Sequence, residues 1–463
     1  MKKPITIIFS FLIITASAKD QTLPIKIKKA FENLLSNNQL KYATVSFSVL
    51  NATNGELVFG DKQNIGVATA STLKTITSAT ALALLGQDFT FSTQIAYSGE
   101  VLNSVLNGNL IIKGGGDPTL GSPRWDKTKK SQILNKVLFA LQQKGIKSIN
   151  GKVLADVSDW DTQSLPIGWI WQDIGNYYAA GTSQLCWGEN LFDLSFTVGK
   201  TEGSSVKINN PAIYPFLNIT NELTTGANGS GDNVYAYSAP YTSEIYLRGT
   251  YAKDLNKDIG ISLPDPALAM AYDVADFLNK NGFETKPSAA AKTIEKQVDL
   301  KPLSTIVSPP LKEIVYYLNK KSINLYAEQL LRTIGYKFGK NTSTKEGVKT
   351  MQKFWAAKGI DDASLNVVDG SGLSPQDRVT TLTMAKVLYE AKKENWFDSY
   401  FSSLPIYNGL HMKSGTITDV LAYAGYVDPE GKTPLCFSLI INNYNGSSAT
   451  MRQKMFGLLD SLK

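Results

Sequence analysis

A serine and a lysine stand three positions apart at the predicted start of a helix. Ser71 and Lys74 belong to the tetrapeptide Ser-Thr-Leu-Lys, and side chains at this spacing share one helix face, about 5–6 Å apart at Cβ. A lysine held neutral by burial and a second cation can take the proton of a serine nucleophile. The pattern predicts that Ser71 is a nucleophile with Lys74 as its base. The alternative is that Ser71 only caps the N-terminus of the helix. Ser204 and Lys207 repeat the spacing, but in a glycine-rich hairpin.

A second polar group is Ser322-Ile323-Asn324, in a segment with helical periodicity. A hydroxyl at Ser322 is suited to relay a proton to a departing amine, and the amide of Asn324 is suited to hold a substrate backbone. The alternative is a pair of exposed polar helix residues. The same tripeptide begins at Ser148, where it precedes Gly151 in a predicted turn.

The third group, Lys413-Ser414-Gly415-Thr416, falls on a predicted edge strand. Lys413 supplies positive potential for a carboxylate, and the hydroxyls of Ser414 and Thr416 can donate hydrogen bonds to it. Gly415 allows a substrate backbone to approach closely, although an ordinary strand start would look similar. The three groups follow the order Ser-x-x-Lys, Ser-x-Asn, Lys-Ser-Gly, which is the order in penicillin-recognising serine enzymes and β-lactamases.

Residue types that bind metals or form disulfides are scarce. His411 is the single histidine, whereas hydrolytic zinc sites use two or three, and a Ser-His-Asp triad would depend on it alone. We therefore expect no metal and no other cofactor. Cys186 and Cys436 are far apart in sequence, and we expect two separate buried thiols, with a disulfide as the alternative.

The N-terminus has the features of a secretory signal peptide. Lys2 and Lys3 precede an apolar stretch at 5–16, and the small residues before position 19 form a cleavage site after Ala18. We expect residues 1–18 to be removed and the protein to act in the periplasm. No later stretch is apolar enough to span a membrane. The net charge of +7 is scattered along the chain, so no nucleic-acid partner is expected.

The elements that must position these groups come from both ends of the chain. Residues 41–60 predict a hairpin that turns at Asn54-Gly55, residues 71–86 a helix, and the C-terminal part three strands and a closing helix. Between them, 96–285 is rich in short strands and polar turns and has one predicted helix, near 131–144. These signals predict an α+β fold with one antiparallel sheet and a large, mainly-β insertion.

Five further segments extend the pattern to nearly the whole chain. With them, the chain resembles the D-alanyl-D-alanine carboxypeptidase/endopeptidase family, the class C low-molecular-mass penicillin-binding proteins of peptidase family S13. The resembling segments are 108–120, 168–181, 302–331, 368–374 and 413–427.

The resemblance implies a penicillin-binding, β-lactamase-like catalytic domain from 19–95 and 286–463, with inserted domains at 96–285. It also implies that an exported enzyme cleaves D-Ala-D-Ala, and D,D crosslinks, in the peptide stems of peptidoglycan, and that β-lactams acylate it covalently. The resemblance implies that Ser71 is the nucleophile, that Lys74 is its base, and that Ser322 with Lys413 relays a proton. For the substrate, it implies that Asn324 binds the amide, that Lys413, Ser414 and Thr416 bind the carboxylate, and that Asp173 recognises a free amino group of the peptide. The N–H groups of Ser71 and Thr416 are the implied oxyanion donors.

Three positions depart from the family pattern. Thr69-Ala70 replaces Pro-Ala before the nucleophile, and Ser414 replaces a threonine while keeping its hydroxyl. Pro375 stands where the family commonly has an arginine, which leaves recognition of the peptide side chain open. Two other functions also stay open: a β-lactamase, for which no deacylating glutamate is evident, and an inactive wall-binding protein.

Overall fold

The structure, a computed structural model, describes residues 22–211, 213–285, 289–290, 299–428 and 433–463. The predicted signal peptide lies outside the described residues. The α-helices are α1 Thr22–Leu35, α2 Lys74–Leu85, α3 Lys130–Gln143, α4 Trp171–Ile174, α5 Pro266–Lys280, α6 Leu311–Lys321, α7 Asn324–Phe338, α8 Thr344–Ala356, α9 Thr381–Lys392, α10 Phe397–Ser403 and α11 Ser448–Leu459.

Twenty-five strands are described, several of them in runs without an intervening α-helix. They are β1 Thr44–Asn51, β2 Leu57–Asp61, β3 Ser92–Tyr97, β4 Glu100–Leu102, β5 Val105–Asn107, β6 Leu110–Lys113, β7 Ser148–Ile149, β8 Val153–Asp156, β9 Leu191–Leu194, β10 Phe196–Thr197, β11 Lys207–Ile208, β12 Asn218–Asn221, β13 Thr224–Gly226, β14 Asp232–Tyr237, β15 Glu244–Ala252, β16 Ile259–Ser262, β17 Glu284–Thr285, β18 Ala289–Ala290, β19 Lys301–Val307, β20 Leu365–Asn366, β21 Arg378–Val379, β22 Ile406–Tyr407, β23 Leu410–Ile417, β24 Val420–Val427 and β25 Leu435–Asn442.

The main sheet joins the two ends of the chain, as predicted. Its order is β2-β1-β25-β24-β23-β22, and every neighbouring pair is antiparallel. The hairpin turn is confirmed at Gly55, whose φ of 79° suits glycine. The register places Lys413 opposite Ala424 on β24. On the other side, β22 pairs with β23 only at Leu410 and His411, so in the described part of the chain the third motif lies on an open edge of the sheet, as predicted.

Helices cover both faces of this sheet. Residues of α1 and α11, such as Phe31 and Met455, pack with Phe47 of β1 on one face. On the other face, Ser46 and Ser48 of β1 both hydrogen-bond to the Thr381 hydroxyl at the start of α9, at 2.8 Å each. The buried hydroxyls thus satisfy one another, which a helix-covered sheet face requires. The α+β fold is confirmed.

The chain between the first two motifs forms further small sheets. They are β18-β8-β6-β3-β19, β17-β7-β5-β4, β12-β15-β13 with β14 on β15, β16-β9, and β10-β11. In the first sheet, β19 is antiparallel to β3, so the chain enters and leaves this region side by side. The exact division into a catalytic and an inserted domain stays a prediction.

The expectation of one helix in the insertion was wrong. Besides α3, the region has the one-turn helix α4 and the longer α5, which begins at Pro266 after Asp265, whose side chain accepts the Leu268 N–H as an N-cap. The Pro-Asp-Pro sequence at 264–266 is a turn signal, but proline in the first turn of a helix after an aspartate cap is also favoured. Within the described residues, no helix has the length and apolarity needed to cross a membrane.

Candidate active site

The predicted nucleophile lies in a tight turn that leads into α2. Ser71 belongs to a short 3-10 helix, Ala70–Leu73, directly before α2, and its side chain is half-buried. A Cβ on Gly415 of β23 would come within 2.7 Å of the Thr69 oxygen and 3.0 Å of the Ser71 nitrogen. On another side, a Cβ on Gly372 would overlap the Ala70 oxygen. The turn that carries Ser71 therefore packs closely against Gly415 and Gly372, two positions where a larger residue would not fit.

Lys74 reaches the Ser71 side chain from one turn further along. Its Nζ donates to Ser71 Oγ at 2.9 Å, to Asn324 Oδ1 at 2.5 Å and to the Ser371 main-chain oxygen at 2.7 Å. All three acceptors are uncharged, and the lysine is fully buried. Burial lowers the pKa of Lys74 to about 7, against the raising influence of buried carboxylates led by Asp369. A large neutral fraction at neutral pH is what a general base needs.

The second and third motifs meet through a separate contact. Lys413 Nζ donates to Ser322 Oγ at 2.9 Å and to the Ser414 main-chain oxygen at 2.8 Å. Burial, with Lys74 nearby, holds the pKa of Lys413 well below its usual range. Ser322 is not inside a helix, as its periodicity indicated, but caps the C-terminus of α6 with φ 56° and ψ 43°. This left-handed conformation separates α6 from α7 and presents the hydroxyl to Lys413.

Asn324 connects the first motif to the inserted region. It begins α7, accepts from Lys74 through Oδ1, and donates from Nδ2 to the Tyr178 main-chain oxygen at 2.6 Å. The Tyr178 hydroxyl donates in turn to Asp173 Oδ1 at 2.9 Å. Asp173 is thus linked to Lys74 through Tyr178 and Asn324. Burial raises the pKa of Asp173, against the Tyr178 hydrogen bond.

The far end of β23 carries the residues predicted to bind a carboxylate. The Ser414 side chain is half-buried, with Oγ 3.4 Å from the Tyr407 hydroxyl. The Thr416 side chain is exposed, and Arg452 of α11 reaches its Oγ1 at 3.4 Å. Sequence reasoning missed Arg452 because only the folded sheet brings the terminal helix beside this strand.

A loop at 368–374 closes the site behind Lys74. Asp369 accepts N–H groups from Ser371, Gly372 and Ser374 at 2.7–3.1 Å. The Trp169 indole donates to the same carboxylate at 2.9 Å. This loop is one of the segments that carry the family resemblance. The sequence does not indicate a role for Asp369, because its nearness to Lys74 depends on tertiary contacts.

Two further carboxylates belong to this cluster. Glu328 of α7 accepts the Gly370 N–H with both oxygens at 3.0 Å, and burial, with Asp369 beside it, raises its pKa to about 8. Asp377 accepts the Val368 N–H at 2.8 Å, and burial, again with Asp369 beside it, holds its pKa well above the usual range. In the described parts of the chain, no three or more histidine, cysteine or acidic residues are arranged to hold a metal ion.

The cysteines and the histidine have other surroundings. Cys186 and Cys436 are free and buried, as expected, and burial raises the pKa of each thiol to about 12. His411 stacks on Phe401, with ring centres 4.2 Å apart. Burial, with Lys320 nearby, lowers the pKa of His411. None of the site contacts given above includes His411.

The chain is similar to known D-alanyl-D-alanine carboxypeptidases. The model of the D-Ala-D-Ala carboxypeptidase 3 (S13) family matches residues 27–409. A D-alanyl-D-alanine carboxypeptidase from an Actinomadura species is 25% identical over 451 residues, covering 91% of this chain and 82% of the relative. The carboxypeptidase DacB from Haemophilus influenzae is also 25% identical, covering 89% of this chain and 88% of the relative.

The solved structures include a protein of the same fold. Penicillin-binding protein 4 from Haemophilus influenzae aligns with a TM-score of 0.78 and 23% identity, covering 93% of this chain and 98% of that structure. The residues matched by the family model include the first two motifs and end before Lys413. Lys413 lies on β23 of the main sheet, where it contacts Ser322. The chain therefore belongs to the D-Ala-D-Ala carboxypeptidase 3 (S13) family, and it is a serine-type, peptidoglycan-acting hydrolase.

Proposed function

We propose that the protein is an exported D,D-peptidase that forms an acyl-enzyme on Ser71. The observation that carries this proposal is the Lys74–Ser71 contact at 2.9 Å, made by a buried lysine whose pKa falls to about 7. Neutral Lys74 accepts the Ser71 proton while Oγ attacks the carbonyl between the two terminal D-alanines. The Ser71 and Thr416 N–H groups stabilise the oxyanion.

The second half of the reaction uses the Ser322–Lys413 pair. When the tetrahedral intermediate collapses, the C–N bond breaks and Ser322, backed by Lys413, gives its proton to the departing D-alanine nitrogen. The proton that Lys74 took from Ser71 replaces it on Ser322, which leaves Lys74 neutral again. Water then attacks the ester while Lys74 takes its proton; the C–O bond to Ser71 breaks, Lys74 returns the proton to Ser71 Oγ, and the shortened peptide leaves. Asn324 holds the peptide amide with the Nδ2 hydrogen that is not donated to Tyr178.

The substrate contacts follow from the two sides of the site. Lys413, Ser414 and Thr416 bind the terminal carboxylate, and Gly415 lets the peptide backbone approach. Asp173 meets a free amino group on the peptide side chain. A crosslinked stem presents the same D,D bond, so endopeptidase action is included in the proposal. The N-terminal signal features support export to the periplasm.

The same chemistry supports covalent inhibition by β-lactams. A β-lactam carbonyl presents the same electrophile to Ser71, and a Haemophilus influenzae penicillin-binding protein 4 structure was solved with a β-lactam. We include stable acylation of Ser71 in the proposal. A β-lactamase would instead turn the compound over, and an inactive wall-binding protein would leave it intact.

Labelling with a fluorescent penicillin tests the proposal. The mature chain, from residue 19, is incubated with the compound, and the labelled peptide is located by mass spectrometry. A stable adduct on Ser71, absent from Ser71→Ala, is the expected result. The matched control is Ser204→Ala, which removes the serine of the other Ser-x-x-Lys sequence and should label normally. An adduct elsewhere, or consumption of the penicillin without an adduct, would overturn the proposal.

A further inference from the structure

A single peptide group separates Lys74 from the carboxylate of Asp369. The Ser371 carbonyl accepts from Lys74 Nζ at 2.7 Å, and the Gly372 N–H donates to Asp369 Oδ1, also at 2.7 Å. The C=O of residue 371 and the N–H of residue 372 belong to the same amide. Negative charge at Asp369 therefore polarises this amide and strengthens the negative end that faces Lys74.

Asp369 is built to carry negative charge. It is fully buried, yet four N–H donors, three from the main chain and one from the Trp169 indole, point at its two oxygens. Hydrogen bonds of this kind stabilise the charged form of a buried carboxylate. No other side chain in the cluster has a comparable set of donors.

Asp377 has the opposite character. Its Oδ2 is buried, and no donor among the described residues reaches it, while its side chain contacts that of Asp369. Two carboxyl groups can hydrogen-bond only when one of them keeps a proton. Asp377, whose Oδ2 lacks a donor in the described part of the chain, therefore suits that proton better than Asp369, whose oxygens accept four N–H groups.

We propose that Asp369 is a positioning residue that supplies the counter-charge for Lys74 through the Ser371–Gly372 peptide group, with Asp377 holding the shared proton. This inference rests on the proposed roles of Ser71 and Lys74. When Lys74 takes the serine proton, a positive charge develops at a fully buried nitrogen. A carboxylate in direct contact with Lys74 would keep the lysine protonated before the reaction. Here the amide lies between Lys74 and Asp369, so the three groups that accept from Lys74 are all uncharged.

Glu328 and Lys413 are also close enough to Lys74 to influence its charge or be influenced by it. Glu328 lies behind the same loop and accepts the Gly370 N–H. Lys413 lies on the sheet side, where Lys74 adds to the burial that lowers the pKa of Lys413. Among the acids, Asp369 raises the pKa of Lys74 most, ahead of Glu328 and Asp377. Its removal should therefore have the largest effect on the lysine.

The test is the pH dependence of Ser71 acylation by the fluorescent penicillin, between about pH 5 and pH 9. The wild-type rate should rise with pH through a midpoint near 7, as Lys74 becomes neutral. In Asp369→Asn the lysine loses its counter-charge, so the midpoint should move down by about one pH unit. The plateau should fall about tenfold, because the weaker base accepts the proton less readily.

Two isosteric variants separate this role from a general effect of mutation. Asp377→Asn replaces a protonated carboxyl by an amide that still donates to Asp369, so its midpoint should stay at the wild-type value. Asp362→Asn removes an exposed carboxylate and should match wild type throughout. A folded Asp369→Asn with the wild-type midpoint overturns the inference, as does an equal shift in Asp377→Asn.

Folding is checked through the unfolding temperature of each variant. If Asp369→Asn does not fold, Trp169→Phe takes its place, since it removes one of the four donors that stabilise negative charge on Asp369. Its midpoint should move in the same direction by a smaller amount, and no movement counts against the inference. If the wild-type protein is not labelled on Ser71 at all, the proposed function fails first, which distinguishes the two failures.

Discussion

The Tyr178 main-chain oxygen accepts a hydrogen bond from the Asn324 side chain at 2.6 Å. This contact joins the inserted region to the helix that carries the second motif. Because the Tyr178 hydroxyl also donates to Asp173, the predicted amine-recognition residue and the predicted substrate amide binder share one intermediary. The two roles proposed for these residues, recognition of the peptide side chain and alignment of the scissile bond, therefore depend on connected side chains.

Asp173→Asn should weaken peptide turnover without preventing acylation by penicillin. The amide keeps an acceptor for the Tyr178 hydroxyl but loses the charge that would pair with a substrate amine, so kcat/KM for an amine-bearing peptide should fall about tenfold to a hundredfold. The control is the same peptide with its amine acetylated, for which wild type and variant should be equal. Equal rates with the free amine would show that Asp173 does not recognise it.

Lys74→Met should remove the base while preserving most of the side-chain volume. Acylation of Ser71 should fall by about 10²–10⁴, the usual contribution of a general base. The remaining rate should lose the rise centred near pH 7, because the group that becomes neutral there is absent. Stopped-flow rates across this pH range check the prediction, and a retained rise would assign it to another group.

Gly415→Ala should displace the nucleophile. The new Cβ would lie 2.7 Å from the Thr69 oxygen and 3.0 Å from the Ser71 nitrogen, so the turn must shift. A misplacement of about 1 Å typically lowers a rate about a hundredfold. The matched control is Gly457→Ala on α11, where a Cβ meets nothing within 4 Å. That variant should acylate normally, and a similar loss in both would point to a general defect.

Arg452→Ala should raise KM for substrates that end in a free carboxylate. The guanidinium reaches Thr416, so it lies beside the predicted carboxylate position, and its loss should raise KM about threefold to tenfold. Arg452→Lys keeps a positive charge and should recover part of the affinity. Turnover of a crosslinked stem whose acceptor lacks that carboxylate should not change. An equal loss on both substrates would indicate a structural role.

Local patterns along the chain were enough to predict the main elements of this protein. Five of the six strands of the central sheet, the helix after Ser71 and the three chemical motifs could be found because short-range periodicity, turn residues and motif spacing reflect local backbone preferences. The family resemblance, which the family match confirmed, came from the same local segments. The helix at 266–280 was missed because its first residues are also turn residues.

Only the tertiary structure decided what surrounds Lys74. Ser71, Asn324 and Ser371 converge on its ammonium from three separate parts of the chain, and Asp369 acts from behind one peptide group. No local pattern encodes these distances. They arise because packing of the loop and helices around the sheet removes water from Lys74, and the lysine's basicity depends on that burial and on the charges the fold brings nearby.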